Sequence, residues 1–378
     1  MSADEAPAPP SPAGAQDLGL FLAGFLSEAD ACRRLGLGPD GLERLLREHV
    51  LSNAAMAPAE VDDQLDVFYR DIGRMAFDRP LYDDVLRRDG GAPGALRFIL
   101  SAAAILDAPS GMPSAEPAGL IFHVGRCGSN LLCNLLAEVP GVVTLREPEF
   151  VNTLLLGLGA EADVDRRDRL EALTARLLRS LAHGVRRDAQ GRPRCGLVKF
   201  SSWNALFAEI LAERLPSTSC IVVVREPCET VASYLQEPPY WYDPGRGTAA
   251  DAVRYFAGEW SAVVASALRL PPERTLIVSY PDLVADPAGV REQACRHLGI
   301  CPAPADALAV EAVTSRYSKS SGPEAFDPAG RRLRPGLDPG SRDLVAAITA
   351  RSRAALLERI SIKWTFGGRE RDGRSSRI

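Results

Sequence analysis

The chain has 378 residues, 46% of them hydrophobic and 25% charged, with a formal net charge of −5. That length accommodates one large α/β domain with an appendage, and the mildly negative balance excludes a nucleic-acid-coating surface while leaving room for local basic sites. No apolar run reaches the roughly eighteen residues needed to span a bilayer. The first residues, Met1-Ser-Ala-Asp-Glu-Ala-Pro7, lack the apolar core of a secretion signal. The eight cysteines show no C-x-x-C pairing, which predicts reduced thiols in a cytoplasmic protein with no metal site.

In chain order, residues 1–16 are rich in Pro, Ala and Ser and predict a disordered tail. Residues 17–106 are expected to be an α-helical region: Leu18, Leu20, Phe21 and Phe25 begin one helix. Leu42, Leu45 and Leu46 follow the start signal at Pro39, Val61 to Ile72 continue the spacing, and Ala92 to Leu106 closes it. The Pro/Gly-rich residues 107–117 predict a linker. From 118 to 365, apolar strand-length runs alternate with helical spacing, and 366–378 is expected to be a flexible tail. Leu120 to Val124, Val142 to Phe150 with a polar turn at its end, Cys195 to Phe200, Ser219 to Arg225 and Thr275 to Tyr280 are the expected strands. Their continuous apolar character predicts a parallel sheet with helices on both faces. The expected fold class is therefore a three-layer, P-loop-like α/β sheet, and ligands bind such sheets at the carboxyl ends of the strands.

The chemistry-bearing residues collect at those ends. After the first strand comes Gly125-Arg-Cys-Gly-Ser-Asn130, a glycine-containing turn that opens a leucine-spaced helix. Exposed N–H groups at a helix start, together with a guanidinium, make an anion cradle. Gly-Lys-Ser/Thr, which marks nucleoside-triphosphate loops, does not occur. Lys199 ends a second strand, Arg225 a third, and Ser233 follows Arg225 by eight residues. Ser279-Tyr-Pro-Asp-Leu283 ends the last strand with Tyr280, and Arg146-Glu-Pro-Glu-Phe150 follows the second with two carboxylates.

Four of these strand ends, in this order, resemble the sulfotransferases that use 3′-phosphoadenosine 5′-phosphosulfate, over roughly residues 118–300. Arg126, Cys127, Gly128, Ser129 and Asn130 are similar to that family's phosphosulfate loop, and Leu197-Val-Lys-Phe-Ser201 to the strand end carrying its lysine. Arg225 and Ser233 match its Arg and Ser for the 3′-phosphate. The segment at Tyr280 resembles the one whose tyrosine lies near the adenosine, and Arg334 is a loose match to a late basic loop closing on the 3′-phosphate. The resemblance implies a sulfuryl donor that leaves as adenosine 3′,5′-bisphosphate, and no metal. It also implies a small-molecule, lipid or carbohydrate acceptor, no nucleic-acid partner, and a homodimer as a candidate assembly. Many members place a base histidine where this chain has Ser201. A sister group of bacterial and carbohydrate-type members uses a glutamate after the first helix, which points to Glu147, with Glu149 as the alternative. The expected catalytic residues are thus Glu147, Lys199 and Arg126. Histidines 49, 123, 183 and 297 read as structural. Tyr240, Trp241 and Tyr242 read as a substrate wall or as a packed loop. The remaining readings are a P-loop kinase and a nucleotide-binding scaffold that has lost catalysis.

Overall fold

The computed structural model describes residues 27–42, 44–45, 56–72, 75, 77, 81–89, 97–108, 115–188, 190–239, 242–243, 245, 247–301, 307–315 and 336–366. The expected tail at 1–16, all but Phe366 of the expected tail at 366–378, the helix beginning at Leu18, His49, Tyr240, Trp241 and the late basic stretch with Arg334 lie outside these residues. The chain forms two compact units, one of residues 1–117 and 147–196, the other of 118–146 and 197–378. One boundary falls at 117/118, the end of the expected linker at 107–117, but residues 147–196, read as part of the α/β domain, cluster with the N-terminal residues.

The first unit corrects the expectation of an all-helical N-terminal region. Strands β1 (Met56–Val61), β2 (Asp66–Asp71) and β3 (Arg97–Ser101) form an antiparallel sheet in the order β1-β2-β3. Val61, Val67, Phe68 and Ile72 also fit a helical stripe, but the alternation that wins has period two: Val67 and Tyr69 are buried while Phe68 and Arg70 are not. The hairpin turn is made by Asp62, whose Oδ1 accepts from the N–H groups of Gln64 and Asp66 at 3.0 and 2.8 Å, the local bonding that suits Asp to turns. Helices α1 (Glu28–Leu35), α2 (Tyr82–Asp89), α3 (Ala102–Leu106), α4 (Glu149–Ala160) and α5 (Val164–Gly184) complete the unit. Both α4 and α5 pack on β1. The Tyr82 hydroxyl donates to the Pro58 carbonyl at 2.8 Å, and its ring meets Phe150 edge-on.

The second unit holds the expected sheet. Strands β4 (Gly119–His123), β5 (Val142–Arg146), β6 (Cys195–Lys199), β7 (Ser219–Val224) and β8 (Thr275–Ser279) lie in the order β5-β6-β4-β7-β8. The pairings of β4 with β6 and β7, and of β7 with β8, are parallel. All five residues of β4 and of β5 are buried, as their unbroken apolar runs require. The chain reaches one edge from the central β4, then returns through β6 and crosses to β7. This reversal opens a crevice beyond the carboxyl end of β4, the place where open α/β sheets bind ligands. The accompanying helices are α6 (Ser129–Ala137), α7 (Ala208–Arg214), α8 (Pro227–Gln236), α9 (Ala249–Ala267), α10 (Tyr280–Ala285), α11 (Pro287–His297), α12 (Ala307–Thr314) and α13 (Pro339–Phe366). Helices α8, α9 and α13 share an apolar cluster containing Val231, Tyr234, Phe256 and Val345. Among the described residues no helix is long and apolar enough to cross a membrane.

Candidate active site

The loop after β4 takes its shape from backbone that side chains rarely adopt. Gly125, Arg126 and Gly128 have φ of 75°, 49° and 82°, in the left-handed region that glycine occupies without a steric penalty. Gly128 is the N-cap of α6 and supplies no side chain to its first N–H groups, so the helix start keeps its attraction for an anion. The loop is anchored from below by His123, whose Nδ1 accepts from the Gly125 N–H at 2.9 Å. The other ring nitrogen, Nε2, must then carry the hydrogen and donate to the Phe200 carbonyl, also at 2.9 Å. This buried histidine is structural, as expected, but it shapes the loop as well as filling the core.

Gly125 leaves no room for a side chain. A Cβ there would stand 1.7 Å from the Tyr234 hydroxyl oxygen. Gly125→Ala is therefore expected to cost about 1–3 kcal/mol of stability, lower Tm by several degrees in a thermal melt, and abolish anion binding in the loop. Wild-type melting and binding in the alanine variant would count against this reading of the loop.

Two guanidinium groups meet at the cradle. Arg126 donates from Nε to the Ser233 hydroxyl at 3.1 Å and is paired with Glu237. Arg225 donates to the Arg126 carbonyl at 3.0 Å and is paired with Glu229 at 2.8 Å, the helix-start ion pair that competes with a ligand role. Its guanidinium also lies over the Tyr280 ring, 4.4 Å from the centroid, and Tyr280 in turn lies against Gly128. Arg126, Gly128, Arg225, Ser233 and Tyr280 are thus brought into mutual contact from three strand ends. The carboxylates of Glu237 and Glu229 are 52% and 55% exposed, so each can turn into water when a phosphate takes its place.

Lys199, 2% exposed at the end of β6, lies close enough to influence the Cys127 thiol. Burial pushes that thiol up to about 11, against the pull of Lys199 and Arg225, so it stays neutral and is no nucleophile. Ser129 and Asn130 are buried in the first turn of α6, and the Asn130 Oδ1 has no protein partner, a buried polar end suited to a ligand group. Ser201 is the N-cap of the 3₁₀ turn 202–207, sharing a reciprocal pair of bonds with Asn204; its position serves chain reversal.

Glu147 follows β5 directly, is half-buried, and has φ of 51°. Leu65, Arg126 and Glu147 are the non-glycine residues with positive φ among those described, and two of the three were singled out from sequence on chemical grounds. Glu149 is exposed at the first position of α4, where its N–H donates to Asp83 Oδ2 at 3.0 Å and its carboxylate accepts from Asn152 Nδ2 at 3.0 Å. Burial pushes the Asp83 carboxyl up to about 6. Tyr242 packs on Phe256 and Tyr255, with centroids 4.7 and 5.4 Å apart, which favours the packed-loop reading for that residue. Among the described residues no cluster of three or more His, Cys, Asp or Glu side chains is placed to hold a metal ion.

Residues 120–302 match the sequence model of the sulfotransferase family. Over these residues, just under half of the chain, the sequence is that of a sulfotransferase-family domain. No curated protein matches it in sequence. Among solved structures, the sulfotransferase domain of the curacin biosynthetic pathway is 16% identical with a TM-score of 0.39, covering 65% of this chain and 99% of that one. Sulfotransferase STF9 from Mycobacterium avium is 13% identical with a TM-score of 0.41, covering 72% and 81%. Mouse sulfotransferase SULT7A1, solved in complex with PAP, is 14% identical with a TM-score of 0.38, covering 70% and 96%. Likeness of this degree assigns no residue. Sequence reasoning missed three residues of the sulfotransferase domain that touch this site. Glu237 pairs with Arg126, Trp260 donates from Nε1 to the Arg225 carbonyl at 3.0 Å, and Glu259 accepts from Ser202 at 2.9 Å. Their signal was faint: a glutamate just past a helix end, and a glutamate beside a buried tryptophan.

Proposed function

We propose that this sulfotransferase takes its sulfuryl group from 3′-phosphoadenosine 5′-phosphosulfate and passes it to a hydroxyl or amine of a small-molecule, lipid or carbohydrate acceptor. The observation that carries the proposal is the joint between Arg126, Ser233 and Arg225, with Tyr280 beneath Arg225. It sets two permanent cations and a hydroxyl beside the left-handed loop that starts α6, which suits a ligand with two separate phosphate groups and an aromatic base. In the reaction, the S–O bond to the donor phosphate breaks, a bond from sulfur to the acceptor forms, and the bisphosphate leaves with the bonding pair. The acceptor proton passes to a base, for which we propose Glu147. Its left-handed backbone is the kind of locally strained conformation found at functional sites, whereas Glu149 is engaged with Asp83 and Asn152. Arg126 and Lys199 supply positive charge toward the leaving phosphate, so the chemistry requires no metal. Ser129, Asn130 and the buried, neutral Cys127 line the loop, and the assignment of Arg334 to the 3′-phosphate remains a sequence-based proposal. A reducing, cytoplasmic setting suits the Cys127 thiol, and a homodimer remains the proposed assembly.

The deciding experiment is calorimetric titration with adenosine 3′,5′-bisphosphate and with adenosine 5′-phosphate. Wild type is expected to prefer the bisphosphate. Arg225→Ala is expected to weaken the bisphosphate by about ten- to hundredfold, the loss of one charge-assisted contact, and to change the monophosphate little. Equal losses for both nucleotides would remove Arg225 from the 3′-phosphate. Binding without turnover on any panel of acceptors would favour the scaffold reading.

A further inference from the structure

Helix α9 presents one face to the donor site, and three successive contacts lie on it. Phe256 stacks on the Tyr234 ring, centroids 4.5 Å apart and planes within 8°. Glu259 Oε1 accepts from the Ser202 hydroxyl at 2.9 Å, which itself accepts from the Tyr234 hydroxyl at 3.3 Å. Trp260 donates to the Arg225 carbonyl. Positions 256, 259 and 260 stand at i, i+3 and i+4, which share a helix face. The Tyr234 oxygen lies directly over Gly125, and Ser233 beside it receives Arg126.

We propose that Glu259 is a positioning residue for the donor site, holding the Tyr234 hydroxyl against the phosphate loop through Ser202. This rests on the donor-binding reading above. The chain Tyr234–Ser202–Glu259 fixes a hydroxyl at Gly125, where the loop has no side chain of its own. The other carboxyl oxygen, Oε2, is buried without a hydrogen-bond partner, so the neutral acid suits the site better than the carboxylate. Burial accordingly pushes Glu259 up to about 7. Ionisation would put an anion behind a loop that has to receive a phosphate. Donor binding and Glu259 protonation should therefore favour each other.

The surrounding groups leave this coupling to Glu259. Ser202 reaches it from the 3₁₀ turn, Tyr234 from α8 and Tyr255 from its own helix, and Arg126 and Cys127 lie beyond Tyr234. On α13, Arg353 is paired with Glu226, and Arg359 donates to the carbonyls of Leu268 and Leu270. On α7, Glu209 is paired with Arg269.

The test is calorimetry of adenosine 3′,5′-bisphosphate with the full chain from pH 6 to pH 8.5, in two buffers of different ionisation enthalpy. Because the ligand's own phosphates titrate near pH 6, wild type is compared with Glu259→Gln. The glutamine variant keeps an acceptor for Ser202 and loses the titration. Wild-type affinity is expected to fall about tenfold more across this range than the variant's, the effect of a one-unit pKa change, and wild type should take up more protons on binding near pH 7. Superimposable pH profiles and equal proton uptake would overturn the proposal. Tyr234→Phe, which keeps the ring on Phe256, provides an independent arm. It is expected to weaken the bisphosphate by about three- to tenfold, and unchanged affinity there would also overturn it. Absence of binding by wild type at every pH would overturn the donor reading, and this proposal with it.

Discussion

Glu147→Gln is expected to leave bisphosphate affinity intact and to lower turnover by about 10²–10⁴, the range for removing a general base. The substitution keeps the size of the side chain and takes away only its basicity. Because the backbone at Glu147 already sits at φ 51°, a glutamine there meets the same local strain as the native residue, so a loss of turnover would reflect chemistry. Steady-state kinetics at saturating donor, with Glu149→Gln run beside it, separate the candidates. Glu149 serves the start of α4, where its carboxylate holds Asn152, so Glu149→Gln is expected to keep most of its turnover. If the two results are exchanged, the base is Glu149. If both variants stay active, neither carboxylate is the base.

Lys199→Met is expected to cut turnover by about 10²–10³, as removal of a single preorganised electrostatic stabiliser does, while changing bisphosphate affinity by much less. Methionine approximates the length of the lysine stem and suits a position 2% exposed, which limits cavity formation. The expected signature is loss in kcat with a nearly constant Kd for the product nucleotide, because charge on the bridging oxygen develops only as the S–O bond breaks. A proportional loss of affinity and no change in kcat would make Lys199 a binding residue alone.

The strand ends that carry the proposed donor site were legible because the strands of a buried parallel sheet announce themselves as unbroken apolar runs. Gly125 to Asn130 could be placed after β4, and Arg225 after β7, from hydrophobicity alone. Ser233 follows from helical reach, and the contact it makes is with Arg126 as well as lying on the helix that Arg225 precedes. The N-terminal strands were not legible. Val61 to Ile72 satisfies two periodicities, and only cross-strand pairing such as Val61 with Val67 and Phe68 with Ile99 decides between them. Such pairing is non-local, so a window of sequence does not contain it. Glu259 was hidden for a related reason: its partner Ser202 is 57 residues away, and on a helix rich in apolar residues a single glutamate reads as the solvent side.

On the donor reading proposed above, the ion pairs of Arg126 with Glu237 and of Arg225 with Glu229 make nucleotide entry an exchange of anions. Each arriving phosphate takes over a guanidinium that already has a carboxylate, and each carboxylate, more than half exposed, swings into water. A simple monovalent anion offers little over the carboxylate it would have to replace, whereas a phosphate brings more charge and a geometry that the guanidinium fork can grip twice. On that reading the resting site discriminates by valence before it discriminates by shape, and chloride competes poorly for it.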